Sequence, residues 1–306
     1  MPASDPGLPR SQQLSERTVG QAQKHLAARF AAAGLDTPAL DARLLVTGAL
    51  GLDAAEGIRN PDRGFDDAGA ARIQAFATRR LAREPVSRIL GLRPFYGLDL
   101  EISPATLDPR PDTETIVDTV LELVRTGQTP GGQAPRILDL GTGSGAIILA
   151  LLHALPDTRG IATDIAPDAL AVARRNAVRH GVTDRLETKA TRWLDRVSGR
   201  FDVIVSNPPY IPSGIITGLA PEVAAYDPLT ALDGGADGLD AYRALIPPAA
   251  EALNPGGWLV LEIGSGQESD VARLAMDCQT FSTDPHLMER RDLSGRIRCV
   301  AVRARR

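Results

Sequence analysis

Apolar residues change their spacing once along this chain, from a helical period in the first third to strand–helix alternation in the remainder. Over residues 16–84, three stripes each fit one face of a helix. Val19, Leu26 and Phe30 form the first, closing near Gly34, and Leu40, Leu44, Leu45 and Ala49 form the second, closing at Gly51. Ile73, Phe76, Ala77 and Leu81 form the third. Residues 85–105 change character: Gly91, Pro94 and Gly97 punctuate β-prone pieces at 88–90, 94–96 and 98–102, which predicts a hairpin-like linker. From Pro135 onward, strands are predicted at 136–140, 160–164, 202–206 and 257–263, and helices at 146–154, 167–180, 240–253 and 267–276. Two more strands are expected between Phe281 and Arg303, around turn residues 292–295. Such alternation implies an α/β fold, a parallel sheet covered by helices on both faces. Ligands of such sheets bind beyond the carboxyl ends of the strands, where the strand order reverses.

The expected organisation is therefore a flexible tail at 1–15, a helical domain at 16–84, a linker at 85–105 and an α/β domain at 106–306. A length of 306 residues fits two domains, and 43% hydrophobic with 24% charged residues is ordinary for a soluble globular protein. The net charge of −4 supplies no global basic field, which disfavours heavy reliance on phosphate contacts. The clearest basic cluster, Arg79, Arg80, Arg83, Arg88 and Arg93, lies outside the α/β half. Cys278 and Cys299 make no C-x-x-C pair and the four histidines are scattered, so neither a disulfide framework nor a metal site is expected. No apolar run approaches the ~18 residues of a membrane span, and the polar start lacks a signal core; a cytoplasmic protein is expected.

Candidate chemistry concentrates at two strand ends. Asp139 and Leu140 run into Gly141-Thr142-Gly143-Ser144-Gly145 at the end of the first α/β strand. Glycines there let a ligand lie on the backbone and let the next helix start close to the strand. Asp164 ends the second strand, where a carboxylate can accept both hydroxyls of a ribose. These residues alone leave three readings open: a nucleoside cofactor, a dinucleotide site (Gly141-x-Gly143-x-x-Ala146 also fits that loose fingerprint), or a tight turn with no ligand. The second run, Asn207-Pro208-Pro209-Tyr210, follows strand 202–206 on the same edge. Consecutive prolines hold the backbone extended, so their carbonyls can face a ligand. The Asn207 side-chain oxygen and the Pro208 carbonyl can together accept both hydrogens of a planar NH2 group. An amide nitrogen is a poor nucleophile because its lone pair is delocalised; accepting both N–H bonds returns density to nitrogen and aims it. Tyr210 can pack its face on the same flat group. A proline-rich strand exit with a turn-forming Asn is the bland alternative.

Further segments extend the pattern: residues 84–91, then Phe95-Tyr96-Gly97; Pro109-Arg110-Pro111-Asp112-Thr113-Glu114; Glu222, Tyr226 and Pro228; Asp237-Gly238-Leu239; Leu261-Glu262-Ile263-Gly264 and Gln267; and 292–295. With Ser206 to Tyr210, these resemble the HemK/PrmC family, the protein-glutamine N5-methyltransferases of class I peptide chain release factors. The resemblance covers nearly the whole chain after the tail. It implies a class I S-adenosylmethionine-dependent methyltransferase fold, Rossmann-like, with a mostly parallel seven-stranded sheet and a smaller N-terminal helical domain joined by a β-hairpin. It implies that Gly141, Thr142, Gly143, Ser144 and Gly145 hold the methionine part of the donor and Asp164 its ribose. Trp193 would lie against the adenine, and Asn207 would touch the donor as well. Asn207, Pro208, Pro209 and Tyr210 would hold the substrate glutamine, with Asn207 and Pro208 catalytic. S-adenosyl-L-homocysteine is the implied product, a release factor the implied partner, and no nucleic acid or membrane is expected. Three residues depart from the family pattern. Asp108 replaces an aliphatic residue, Asp112 a glutamate, and Arg192 stands where an acid is common.

Rival readings are a ribosomal-protein glutamine methyltransferase, a nucleic-acid amino methyltransferase, a nicotinamide-dependent oxidoreductase and a non-catalytic module. The oxidoreductase leaves Asn207-Pro208-Pro209-Tyr210 unexplained, and base-modifying enzymes need a basic track. Gly131-Gly132-Gln133 reproduces the tripeptide that bears the methylated glutamine of release factors, within a Gly-rich loop at 126–134.

Overall fold

The computed structural model describes residues 18–278, 280–281, 287–292 and 294–305. The expected tail at 1–15, the first two residues of the expected helical domain, and part of the expected strand region at 282–286 lie outside the described residues. The chain divides into two compact units, Met1–Leu90 and Gly91–Arg306. No helix among the described residues is long and apolar enough to cross a membrane.

The first unit is helical: α1 (Val19–Ala32), α2 (Pro38–Leu50), α3 (Ala54–Arg59), α4 (Asp67–Leu81) and α5 (Val86–Leu90). Thr18 and Gln21 form a capping box on α1, and Gly51 ends α2 in the left-handed region at φ 65°. Val19, Leu26, Phe30, Leu45, Val46, Ile73 and Ala77 make its core. Two sequence expectations are corrected here. Leu40 is 43% exposed, and α2 instead buries Asp41, Ala42, Leu45, Val46 and Ala49. The buried face is rotated because Asp41 has a buried partner, Arg80 Nε at 2.7 Å, so an acid stands where the stripe called for an apolar residue. Residues 88–90 belong to α5 and form no strand. The arginine cluster serves largely as internal bracing. Arg79 pairs with Glu84 at 2.7 Å, Arg83 donates to the Gly34 carbonyl, and Arg80 and Arg88 are buried.

The second unit opens with a hairpin, β1 (Leu92–Phe95) and β2 (Leu98–Glu101). Its two-residue turn, Tyr96-Gly97, has positive φ at both positions, 48° and 76°, as a hairpin of natural twist requires. Phe95, Leu98 and Leu100 are buried in the α/β core, so the hairpin is an integral part of this unit. Then follow α6 (Glu114–Arg125), β3 (Arg136–Leu140), α7 (Ala146–Ala154), β4 (Arg159–Asp164), α8 (Pro167–Arg179), β5 (Leu186–Ala190) and β6 (Phe201–Ser206). The chain continues with α9 (Pro221–Ala224), α10 (Asp240–Ala252), β7 (Leu253–Glu262), α11 (Glu268–Met276), β8 (Leu287–Arg291) and β9 (Ile297–Arg303). The seven-stranded sheet has the order β5-β4-β3-β6-β7-β9-β8, and β9 alone runs antiparallel to its neighbours. This is the class I methyltransferase fold. Alternate strand residues feed two cores: Ile137, Val203 and Val260 pack with α6 and α7, while Leu138, Ile204 and Leu261 pack with α10 and α11.

Helix α6 and strand β5 escaped the sequence reading, as did the short helices α3, α5 and α9. Helix α6 carries a regular stripe, Ile116, Val117, Val120, Leu123 and Val124, that was available in the sequence. Strand β5 is an edge strand whose five residues (Leu-Glu-Thr-Lys-Ala) bear a single large apolar side chain, so only its pairing with β4 defines it. One fully buried side chain secures the hairpin. Asn176 on α8 accepts from Glu101 N at 2.7 Å and donates to the carbonyls of Glu101 and Ser144, both at 2.9 Å.

Candidate active site

The sheet order reverses between β3 and β6, and the loops after β3, β4 and β6 surround a cavity of about 490 Å³ there. That volume is typical of a small-molecule site. Gly141, Thr142, Gly143, Ser144, Asp164, Trp193, Asn207, Pro208 and Pro209 all line it; of the expected site residues, only Gly145 and Tyr210 do not.

Gly141, Gly143 and Gly145 adopt φ of 71°, 57° and 86°, conformations that a side chain would strain. The Gly141 and Thr142 N–H groups both donate to the Thr163 carbonyl at 2.9 Å, so the loop folds back on the end of β4. Gly143 N–H donates to Asp164 Oδ2 and Ala166 N–H to Oδ1, each at 2.9 Å. Burial raises the Asp164 pKa, and these two N–H groups oppose the shift. Beneath the loop, Asp139 is 1% exposed and accepts from the Thr142 hydroxyl at 2.6 Å. Burial pushes its carboxyl up to about 7, against the pull of that hydroxyl. Its role as a loop support was missed from sequence, although its place two residues before Gly141 was the available signal.

Trp193 is half-buried, walls the glycine loop, and sits at φ 47°, a strained value for an aromatic residue. Its Cζ3 lies 3.6 Å from the position a Gly141 Cβ would take, and its Nε1 is buried without a hydrogen-bond partner among the described residues. Trp193 therefore belongs both to the cavity and to the α10-side core. Arg192 beside it is exposed on the cavity lining and brings only donors, no acceptor. A side-chain-free floor, a carboxylate at the second strand end and an aromatic wall fit S-adenosylmethionine.

At the end of the neighbouring strand β6, Asn207 Nδ2 donates to Thr113 Oγ1 at 3.1 Å. Among the described residues, neither Asn207 Oδ1 nor the Pro208 carbonyl accepts a hydrogen bond. Tyr210 is turned away from the cavity: its hydroxyl donates to Glu262 Oε1 at 3.1 Å, and burial beside that acid pushes its pKa far up. Its carbonyl accepts from Gln267 Nε2 at 3.1 Å, and Gln267 Oε1 accepts from Gly264 N at 2.9 Å. Tyr210 and Gln267 thus anchor the loop after β6 to the end of β7. Thr113, Glu262 and Gln267 were quoted in the sequence only as family pattern, and their contact with this loop required the fold.

The other flagged residues lie elsewhere or serve as scaffold. Gln133 donates to the Val124 carbonyl at 3.1 Å, and Gly131 packs on Asp202 at the start of β6. Asn207 follows the far end of that strand, roughly 17 Å away along six residues. The Gly-Gly-Gln triplet of the chain therefore sits at the wrong edge of the sheet for its own site. Asp108 pairs with Arg93 at 3.3 Å and Asp112 with Arg298 at 3.2 Å, so both departures carry ion pairs. Asp227 receives Arg110 at 2.6 Å behind the Pro-Arg-Pro segment.

Comparison with known proteins agrees with this geometry. The family described as PrmC N-terminal domain matches residues 21–91, and the Methyltransferase small domain matches residues 119–217. The catalytic domain of hMettl16, solved in complex with the MAT2A 3'UTR hairpin 6, aligns over 78% of this chain and 82% of its own. With a TM-score of 0.54 and 16% identity, it supports the fold alone. The release factor glutamine methyltransferase of Bradyrhizobium diazoefficiens is 48% identical over 96% of this chain and 97% of its own length. The protein of the same name from Rhodospirillum rubrum is 45% identical over 98% and 89%, and that from Geobacter sulfurreducens 41% over 86% and 91%. Identity of this extent, spanning both units and the strand-end loops, places the chain in the release factor glutamine methyltransferase family, as an S-adenosylmethionine-dependent enzyme.

Proposed function

We propose that this protein methylates the side-chain amide nitrogen, N5, of the glutamine in the Gly-Gly-Gln motif of a class I peptide chain release factor. One observation carries the reading. Asn207 and Pro208 both line the cavity that the glycine loop also lines, and Asn207 Oδ1 and the Pro208 carbonyl have their acceptor capacity uncommitted among the described residues.

S-adenosylmethionine supplies an electrophilic methyl group on a sulfonium. Gly141 to Gly145 would provide a floor for its methionine portion, Asp164 would accept from the ribose hydroxyls, and Trp193 would offer a face to the adenine. Asn207 Oδ1 and the Pro208 carbonyl accept the two hydrogens of the glutamine NH2. That pairing fixes the nitrogen in line for displacement and raises its electron density, the kind of positioning that dominates such reactions. Pro209 keeps the backbone extended so that both acceptors face one way. Tyr210 supports this wall from behind. The attacking nitrogen loses its extra proton to water after transfer, so no side-chain base is required. The helical first unit would dock the protein substrate, and an enzyme acting on release factors would work in the cytoplasm with the translation machinery.

The test is Asn207→Ala, assayed with labelled donor and a Gly-Gly-Gln-bearing release factor. Transfer should fall by ~10²–10³, with donor affinity kept within a few fold. Near-normal turnover on that glutamine would sink the reading.

A further inference from the structure

Between β6 and α10 the chain runs through residues 207–239 on coil and short helical turns, with no strand of the seven-stranded sheet to fix it. Long connections of this kind within a compact domain are commonly functional. This one is held at both ends of the Asn-Pro-Pro-Tyr run. Asn207 Nδ2 donates to Thr113 Oγ1 at 3.1 Å, just after the Pro-Arg-Pro segment. Ile211 N donates to the Leu232 carbonyl at 3.0 Å, and the Ile211 carbonyl accepts from Gly234 N at 2.9 Å. Segments 109–113 and 227–234 are therefore each bonded to the loop after β6, one at either end of the motif. A third contact joins those two segments to each other. Arg110 Nη2 donates to Asp227 Oδ2 at 2.6 Å, across 117 positions of sequence.

We infer that these three segments form a closed frame around the acceptor side of the cavity, and that Arg110 and Asp227 are positioning residues that close it. The inference rests on the functional reading given above. Each side of the frame contributes to the cavity lining: Pro109 and Thr113, Asn207 and Pro208, Pro228 and Leu229. Arg110 and Asp227 do not line it, yet each adjoins in sequence a proline that does. The ion pair thus lies behind the wall, sets the separation of Pro109 from Pro228, and touches no substrate.

Of the three joints only this one is ionic. The Asp227 side chain is 1% exposed and that of Arg110 36%, so the pair is a short, charge-assisted bond with one partner inside the protein. The two segments it joins are not equally secured. Segment 109–113 has further anchors, since Arg93 Nε donates to the Pro109 carbonyl at 2.9 Å and Asp112 pairs with Arg298 at 3.2 Å. On the other side, Leu229 is 59% exposed and gains little from packing. Breaking the pair should therefore free Pro228 and Leu229 while leaving the glycine loop and Asp164 on their own strand ends. The donor would bind as before, but the acceptor would lose one wall. Displacing a reacting group by about 1 Å can cost about 10²-fold in rate.

The experiment measures kcat, KM for a Gly-Gly-Gln-bearing release factor, and donor affinity by calorimetry. It compares the wild type with Arg110→Met, Arg110→Lys, Asp227→Ala and the double variant Arg110→Met/Asp227→Ala. Arg110→Met and Asp227→Ala should each raise KM and lower kcat, cutting kcat/KM by about 10- to 100-fold. Donor affinity should stay within a few fold. Arg110→Lys keeps the charge and should lie between Arg110→Met and the wild type. Once Asp227 is alanine, adding Arg110→Met should change kcat/KM by less than about twofold, because no contact is left to break. The double variant also removes the buried charge that Arg110→Met leaves behind, so it decides the matter even where that single variant does not fold. A folded Asp227→Ala within about twofold of wild type in kcat/KM would overturn the frame. So would losses that multiply in the double variant, Arg110→Lys no better than Arg110→Met, or donor affinity falling as far as kcat/KM. A wild type that transfers no methyl group to the release factor would instead overturn the functional reading, and the frame with it.

Discussion

Gly143 N–H donates to Asp164 Oδ2 across 2.9 Å, tying the tip of the loop after β3 to the acid that ends β4. The other oxygen of Asp164 holds Ala166 N–H at the start of α8. One carboxylate therefore shapes the glycine floor while retaining lone pairs that a ribose can use. A ligand held by this carboxylate would be coupled to the loop geometry through it.

Asp164→Ala should weaken S-adenosylmethionine binding by roughly 1.5–3 kcal/mol, the worth of charge-assisted hydrogen bonds. Asp164→Asn keeps one acceptor for Gly143 and should fall between alanine and wild type. Calorimetric titration of the folded variants decides it; unchanged affinity for Asp164→Ala would remove this residue from the donor site.

Asn176→Ala should destabilise the α/β unit by about 2–4 kcal/mol, because it strands Glu101 N and two carbonyls in the interior. Donor affinity should drop as well, since the Ser144 carbonyl loses its anchor. Urea denaturation followed by donor titration checks both, and a loss under about 1 kcal/mol would show that water replaces the amide.

A chain beginning at Gly91 should bind donor normally yet methylate a release factor poorly. A chain beginning at Ser103 should bind donor weakly or fail to fold, because it lacks the buried Phe95, Leu98 and Leu100 and the Glu101 partner of Asn176. Full activity of the Gly91 chain on intact release factor would refute docking by the helical unit.

Stability should decline as pH rises from about 5 to 8. Asp139 and Glu262 both titrate near 7 in the folded protein, above the ~4 of an unfolded carboxyl, so the native state holds their protons more tightly. The stabilisation is complete below the unfolded value and is lost as pH rises through the folded one. Glu262→Gln should flatten this slope. Denaturation midpoints at pH 5 and pH 8 measure it, and an unchanged slope in that variant would assign the loss elsewhere. Glu101 and Asp292, whose pKa values are lowered by Arg175 and by the Arg296 N–H respectively, act with the opposite sign in the more acidic range.

The sequence by itself determined the α/β class, most strand and helix positions from Pro135 onward, the glycine loop, Asp164 and Asn207-Pro208-Pro209. These are legible because each is local: a period of two or 3.6, a glycine run that needs positive φ, a proline pair that fixes its own backbone. Tertiary structure alone decided what depends on a distant partner. Leu40 left the core because Asp41 found Arg80, 39 residues away. Arginines that read only as a basic cluster brace nearby carbonyls and acids. Tyr210 faced Glu262, 52 positions on, instead of the cavity, and Asn207 met Thr113 from 94 positions away. A sequence pattern records what a residue can do, but a hydrogen bond needs two groups brought together, and folding chooses the second.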